Sequence, residues 1–420
     1  MIRRAAVVAP VRTPVGKYLG ALKDVPAEDL AALVVRETVK RSGVEPARID
    51  DVVFAQSYAN SEAPCIGRWA ALAADLPIEV PGMQLDRRCG GGLQAITTAA
   101  MMVQTGAADV VIAGGVESMS NIEYYTTSMR SGAKSGNVQM YDRLERGRER
   151  SQPVGRFGAI SGMIETAENV ARECQITREA SDAFAVESHR RAAQAWAENR
   201  FAEEVLGVSV AQRKGDPVVV ARDEGYRTDA TAASLGALKP IIKGGVVTAA
   251  NASQQNDAAA ACLIVAEDKL STLNLKPMGF LVGWAAAGCH PATMGLGPVP
   301  AVEKLFQRHM LKWNDIDLVE LNEAFAAQVL GVAKRWGYEA MDRLNVNGSG
   351  ISLGHPIGAT GVRIAVTLLH EMKRRKVKLG LETMCVGGRD VDPAFLVGDV
   401  EMQVPHLVHA QEDLRVAVEL

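Results

Sequence analysis

One six-residue pattern occurs twice in this chain, far apart, and that repetition restricts the fold more than any other feature. Ile49-Asp50-Asp51-Val52-Val53-Phe54 is echoed by Ile316-Asp317-Leu318-Val319-Glu320-Leu321. Cys89 follows Ile49 by 40 positions, and His355 follows Ile316 by 39. A repeat of this length implies two related halves, each delivering one reactive side chain at the same kind of turn. The local rhythm of the first 120 residues is α/β: the apolar run Ala5 to Ala9, a helical period from Ala27 to Arg41, then a strand over Asp51 to Ala55. Gly82 to Asp86 leads into Cys89-Gly90-Gly91-Gly92, after which Leu93, Ile96, Ala100 and Val103 recur at helical spacing up to Gly106. A β-rich run, Val110 to Ala113, is expected to stop at Gly114-Gly115. In the second half, Asn345 to Gly348 and a helix carrying Ile364, Leu368 and Met372 on one face occupy the place of the Cys89 strand and helix.

Composition limits the partners. The 420 residues carry 46 Lys plus Arg against 49 Asp plus Glu, a net charge of −3, so there is no global basic field for nucleic acid. With 48% apolar residues the chain can fill large cores in two or three domains. The longest apolar stretches, such as Ala258 to Ala266, fall far short of the roughly 20 residues that span a bilayer. The start MIRRAAVVAP shows no h-region. A soluble cytoplasmic protein without membrane or nucleic-acid partners is expected. Six cysteines (Cys65, Cys89, Cys174, Cys262, Cys289, Cys385) lie far apart with no zinc spacing, so neither a structural metal nor a disulfide framework is expected.

Residues 121 to 160 have a different texture. Arg130, Lys134, Arg143, Arg146, Arg148, Arg150 and Arg156 outnumber four acidic residues, giving +3 within a −3 chain. Residues 121 to about 249 read as an insertion laid over an α/β core, with the chain returning to the sheet near Thr248 to Ala266; an ordinary solvated loop is the alternative.

Cys89 combines a strand-to-helix turn, two preceding arginines and three following glycines. Helix N-terminus and cations favour a thiolate, and glycines leave N–H groups open to an oxyanion. A cysteine in a glycine-rich turn also serves as a small buried hydrophobe, so the functional reading needs a base. His355, in Gly354-His355-Pro356-Ile357-Gly358-Ala359-Thr360-Gly361, is the candidate at the pseudo-symmetric position, and Cys with His is a nucleophile with its base. Asn322, directly after a strand, is either a ligand-facing residue or a helix N-cap. Cys385 is a second strand-end cysteine before a permissive turn, Val386-Gly387-Gly388.

Taken together, Arg88-Cys89 to Gln94, Gly114 to Ser120, Asn251-Ala252-Ser253, Met294 to Pro298, Asn322 to Gln328, Asn347 to Gly361 and Cys385 to Gly388 resemble the thiolase family of acyl-CoA acyltransferases over roughly residues 1 to 388. The resemblance implies a duplicated βαβαβαββ core, five layers deep (αβαβα), with a loop domain over a coenzyme A channel. Residues 1–120 and 250–272 would form the N-terminal half, 121–249 the loop domain, and 273–420 the C-terminal half. It further implies Cys89 as acylated nucleophile, His355 as its base, and Cys385 as acid/base at the acetyl α-carbon. Asn322 through a water with His355 would form one oxyanion hole, and the N–H groups of Cys89 and Gly387 the other. Ser253 would lie against pantetheine, Met163 and Met294 would line the channel, and Arg227 would sit near the adenosine end. The expected reaction is CoA-dependent cleavage of a 3-ketoacyl-CoA, or its reverse, with CoA and acyl-CoA as substrates and no tightly bound cofactor, in a homodimer or homotetramer. Two other readings are a ketoacyl-synthase-type condensing enzyme, which pairs its Cys with two His, and a catalytically impaired acyl-CoA binding protein of thiolase shape.

The sequence departs from that family at three places. Gly90-Gly91 stands where small hydroxyl or mixed residues are common, and Gln254-Gln255 with Ala258 replaces smaller ones. After Gly388, Arg389-Asp390-Val391-Asp392-Pro393 is poor material for a central closing strand, with Ala394 to Val397 the one apolar run available before a tail containing Pro405, His406 and His409.

Overall fold

The computed structural model describes residues 3–387 and 392–398. Strands β1 (Ala5–Arg12), β2 (Asp51–Ala55), β3 (Met83–Leu85) and β4 (Val110–Ser118) belong to the first half, as do helices α1 (Ala27–Ser42), α2 (Ile66–Ala73) and α3 (Gly91–Thr105). Helices α4 (Met163–Cys174) and α5 (Arg178–Ala197) follow, and the chain re-enters the sheet through β5 (Asn256–Ala266). The second half supplies β6 (Gly279–Ala287), α6 (Pro298–His309), β7 (Leu318–Leu321), α7 (Ala326–Trp336), α8 (Thr360–Arg375), β8 (Leu379–Thr383) and β9 (Asp392–Gly398).

The duplication is visible in strand order. One ten-stranded sheet runs β7-β8-β9-β6-β1-β5-β4-β2-β3, with the short Gly16–Lys17 strand pairing β5 off this path. Outward from the antiparallel β1/β6 seam, each half repeats the same sequence of neighbours and directions: β5 is antiparallel to β1 and β4, and β9 is antiparallel to β6 and β8. The parallel β2/β4 pair matches the parallel β7/β8 pair. Beyond β7, a single parallel bridge, Val319 to Leu344, stands where the first half has β3.

Alternation along the strands explains the layers. In β5, Ala259, Ala261, Leu263 and Val265 pack into a core shared with α1 and α2, while Ala260, Cys262 and Ile264 face a second core shared with α3 and α8. That second core also takes Phe395 and Val397 from the other half, so α3 and α8 lie between two covered sheet faces. A third core holds α6 and α7 on the far side of the second half. The result is an αβαβα stack with strands buried on both faces, which is why they read as continuous apolar runs.

Glycine makes the central layer thin enough to work. A Cβ on Gly361 would lie 2.1 Å from the Leu93 nitrogen, and one on Gly92 would lie 2.7 Å from the Val362 nitrogen. The starts of α3 and α8 therefore cross backbone to backbone, and an added methyl would push the two reactive turns apart at a cost of about 1–3 kcal/mol.

Two expectations are corrected here. The strand from Val110 does not stop at Gly114-Gly115 but runs on to Ser118. Those glycines are packing residues, not a turn: a Cβ at Gly114 would meet the Phe54 ring at 2.1 Å, and one at Gly115 would meet the Gly358 carbonyl at 2.2 Å. The segment after Gly388 also does form a closing strand. β9 fills the gap between β8 and β6, with Ala394, Phe395 and Val397 buried. Pro393 sits past the last β8/β9 pair, Thr383 to Ala394, but within the β6/β9 ladder, opposite Ala286. Pro405, His406 and His409 lie outside the described residues.

Candidate active site

The two reactive turns meet. Cys89 lies in a helical turn, Arg88–Gly90, that runs into α3, and His355 lies on the loop before α8. Cys89 Sγ stands 3.2 Å from His355 Nε2. The other imidazole nitrogen, Nδ1, is 2.7 Å from Thr360 Oγ1, which itself donates its single proton to the Pro356 carbonyl at 2.8 Å. With its own proton so used, Thr360 accepts from Nδ1–H, and Nε2 presents a lone pair to the thiol. Burial, reinforced by Arg363 and Arg148, pushes His355 down to about 3, so the ring is neutral at neutral pH and Nε2 carries no proton.

Local contacts hold both turns. The His355 N–H donates to Asn256 Oδ1 at 2.8 Å, and Asn256 Nδ2 donates to the Gly16 carbonyl at 2.9 Å. Gly354 has φ +115°, and a Cβ there would run into the same Asn256 carboxamide. On the other side, Arg88 holds the left-handed φ of +45° directly before the nucleophile. Its carbonyl accepts from Ser57 Oγ at 3.1 Å, and its Nη1 donates to the Ser57 carbonyl at 3.0 Å.

A cavity of about 500 Å³ opens above this pair, lined by Cys89, His355, Cys385, Gly387, Ser253, Met163 and Met294 among others. Seven of the nine site residues expected from sequence thus share one wall. Cys385 packs with Met294, Ala324 and Met163, and a Cβ at Gly387 would meet Met163 Sδ at 2.7 Å. Ser253 is strapped in place by its N–H to the Ala324 carbonyl at 2.9 Å, beside the Ala252–Phe325 bridge.

Asn322 and Arg227 are not on this wall. Asn322 is wholly buried, with Nδ2 3.5 Å from His355 Nδ1, so it flanks the imidazole on the side away from Sγ. It is not the cap of α7, whose N-cap is Phe325. Arg227 is exposed, and its backbone N–H donates to His189 Nδ1 at 3.2 Å. Of the basic insertion, Arg148 reaches the cavity, paired with Glu145 at 2.6 Å; Arg143 pairs with Glu123 at 2.7 Å.

Sequence reasoning overlooked Thr360, Tyr58 and Glu117. Thr360 lies within the Gly354 to Gly361 motif, and a hydroxyl in the first helical turn after a histidine is the signal that marks it. Tyr58 lines the cavity, with Arg88 over its ring at 5.3 Å. Glu117 is fully buried, and burial raises it to about 7 against the opposing effect of three backbone N–H groups. Among the described residues no cluster of His, Cys, Asp or Glu is arranged to hold a metal, and no helix is long and apolar enough to cross a membrane.

Comparison with known proteins gives this geometry its context. Residues 5–268 match the family description "Thiolase, N-terminal domain", and residues 275–397 match "Thiolase, C-terminal domain". The chain is 44% identical over 384 residues to an acetyl-CoA acetyltransferase of Chromobacterium violaceum, covering 91% of this chain and 96% of that protein. It superposes on the crystal structure of the Bacillus anthracis acetyl-CoA acetyltransferase with a TM-score of 0.91 at 40% identity, covering 95% of this chain and 99% of the other. Human mitochondrial 3-ketoacyl-CoA thiolase gives 0.89 at 34% identity with the same coverage. A duplicated five-layer core with matching domains over nearly its whole described length places this chain in the thiolase family.

Proposed function

We propose that this protein is a CoA-dependent thiolase that cleaves a 3-ketoacyl-CoA to acetyl-CoA and a shortened acyl-CoA, or runs the Claisen condensation in reverse. The observation that carries the reading is the 3.2 Å contact between Cys89 Sγ and a neutral, buried His355 Nε2 on the wall of a ligand-sized cavity. In the cleavage direction Nε2 takes the Cys89 proton and the thiolate attacks the 3-keto carbon. The C2–C3 bond then breaks, its electron pair moves into the enolate of acetyl-CoA, and the Cys385 thiol protonates that carbon. CoA thiol next attacks the acyl-enzyme, returning a proton to the protein and freeing Cys89. The N–H groups of Cys89 and Gly387 stabilise one oxyanion; His355, with Asn322 through a water, stabilises the other.

Ser253 and the two methionines line the pantetheine channel, and Arg227 lies toward the adenosine end. The substrates are CoA and acyl-CoA, with no tightly bound cofactor and no nucleic-acid partner. The protein works in the cytoplasm as a homodimer or homotetramer in fatty-acid metabolism of the β-oxidation type. A ketoacyl-synthase reading, which pairs the cysteine with two histidines, has less support, because among the described residues lining the cavity His355 is the one histidine and Cys385 stands beside it in the lining.

Thiolysis measured across acetoacetyl-, medium-chain and branched 3-ketoacyl-CoA, together with exchange of labelled CoA into acetoacetyl-CoA, tests the reading. CoA binding without exchange would identify an impaired binding protein instead. A second measurement concerns the insertion: Arg130, Lys134 and Arg150 are exposed and have no ion pair among the described residues. If they meet the coenzyme's phosphates, raising salt from about 0.01 to 0.5 M should weaken CoA binding by a few-fold, because exposed pairs are screened beyond the Debye length. A dissociation constant indifferent to salt would make these residues solvated surface only.

A further inference from the structure

Cys89 and His355 belong to different halves of the chain, so their 3.2 Å separation depends on how two turns are fixed to one another, not on either turn alone. One side chain touches the supports of both. Glu117, the last residue but one of β4, is 1% exposed. Its Oε2 accepts from the Ser57 N–H at 3.1 Å and from the Gly358 N–H at 2.9 Å, and its Oε1 accepts from the Tyr58 N–H at 3.2 Å. Ser57 is the residue bonded in both directions to Arg88, directly before the nucleophile. Gly358 lies three residues after His355 on the same loop, where a Cβ would collide with the Val116 carbonyl at 2.6 Å. The path from Sγ to Nε2 through bonded groups therefore runs Cys89, Arg88, Ser57, Glu117, Gly358, His355.

We infer that Glu117 is a positioning residue for the thiolase reaction, a two-oxygen clasp that holds the nucleophile turn and the base loop at reacting distance. The inference rests on the function proposed above. A carboxylate is suited to this because two oxygens offer about four lone-pair directions, enough for three N–H donors on two chain segments. Burying an acid with no cation paired to it among the described residues is costly, and an apolar side chain would avoid that cost. Mere filling of space does not account for an acid here; joining two segments does. Glutamine keeps the shape but has one accepting oxygen, so at least one N–H would face an NH₂ group.

The test separates alignment from stability. Iodoacetamide alkylation of Cys89, followed by peptide mass analysis against pH, reads the nucleophile's activation and needs no turnover. Glu117→Gln should slow alkylation and acetoacetyl-CoA thiolysis about tenfold and Glu117→Ala about a hundredfold, as expected for a displacement of about 1 Å at reacting groups. The CoA dissociation constant should change less than about twofold. Ser57→Ala, which cuts only the Oγ link to Arg88, should give a smaller loss of the same kind and serves if Glu117→Ala does not fold. Alkylation profiles in Glu117→Gln and Ser57→Ala that superimpose on the wild type would overturn the inference. So would losses of turnover and CoA affinity that simply follow the thermal midpoint. A wild type that alkylates rapidly at Cys89 but does not cleave acetoacetyl-CoA would refute the proposed function, and the alkylation comparison would still decide the role of Glu117.

Discussion

Replacing Cys89 by alanine should abolish acyl transfer, lowering turnover by at least ~10³-fold, because the only proposed covalent carrier is gone while the rest of the cavity is intact. The setting accounts for the size of the effect. Sγ faces the lone pair of a neutral imidazole and lies just before the start of a 15-residue helix, whose N-terminal dipole favours the thiolate. Cys385 is 1% exposed, packed among Met294, Ala324 and Met163, and is assigned to proton transfer at carbon. Trapping with labelled acetyl-CoA and peptide mapping should therefore find label on the Cys89 peptide of the wild type and of Cys385→Ala, and none in Cys89→Ala. Label on Cys385 with none on Cys89 would reverse the two roles.

The parts of the site that sequence made legible are those that repeat or that break the chain. The paired Ile-Asp motifs predicted two halves because each marks the start of a strand in the same register of its half, and the equal spacing to Cys89 and His355 reflects their equivalent turns. Glycines were harder. Gly114-Gly115 reads as a stop to any local rule, yet it continues β4, because what demands glycine is the Phe54 ring and the Gly358 carbonyl pressing on it from elsewhere in the fold. β9 is hard to read for a related reason: local rules weigh Pro393 and the charges before it, whereas the strand is held by two neighbours, β6 and β8, with Ala394, Phe395 and Val397 buried. Thr360 and Glu117 escape a sequence reading because their importance lies in single protons and lone pairs, shared within the His355 loop by Thr360 and across the two halves by Glu117. Such contacts leave no periodicity in the sequence.

His355→Ala should slow Cys89 acylation by about 10²–10⁴-fold, the usual contribution of a positioned general base, while leaving the CoA dissociation constant within a few-fold. The ring touches the reacting sulfur, but the groups assigned to pantetheine belong to other segments: Ser253, Met163 and Met294. The pH dependence gives a second, independent sign. A histidine held at about 3 in the fold stays neutral well below the ordinary value of 6.5, so acylation should show no loss of activity centred near pH 6.5. The same depression destabilises the fold in acid: between pH 6.5 and 3 the unfolded chain binds a proton at this residue that the folded chain does not, so stability falls as pH falls through that window. His355→Ala removes that difference, and its thermal midpoint should decline less steeply than the wild type's from pH 6.5 downward. An acylation profile that titrates near 6.5, or an alanine variant acylated at the wild-type rate, would mean that another group takes the Cys89 proton. Thr360→Val distinguishes misaligned from absent imidazole: it keeps the ring but removes the acceptor that fixes Nδ1–H, so acylation should fall by less than in His355→Ala, with the dissociation constant for CoA again unchanged.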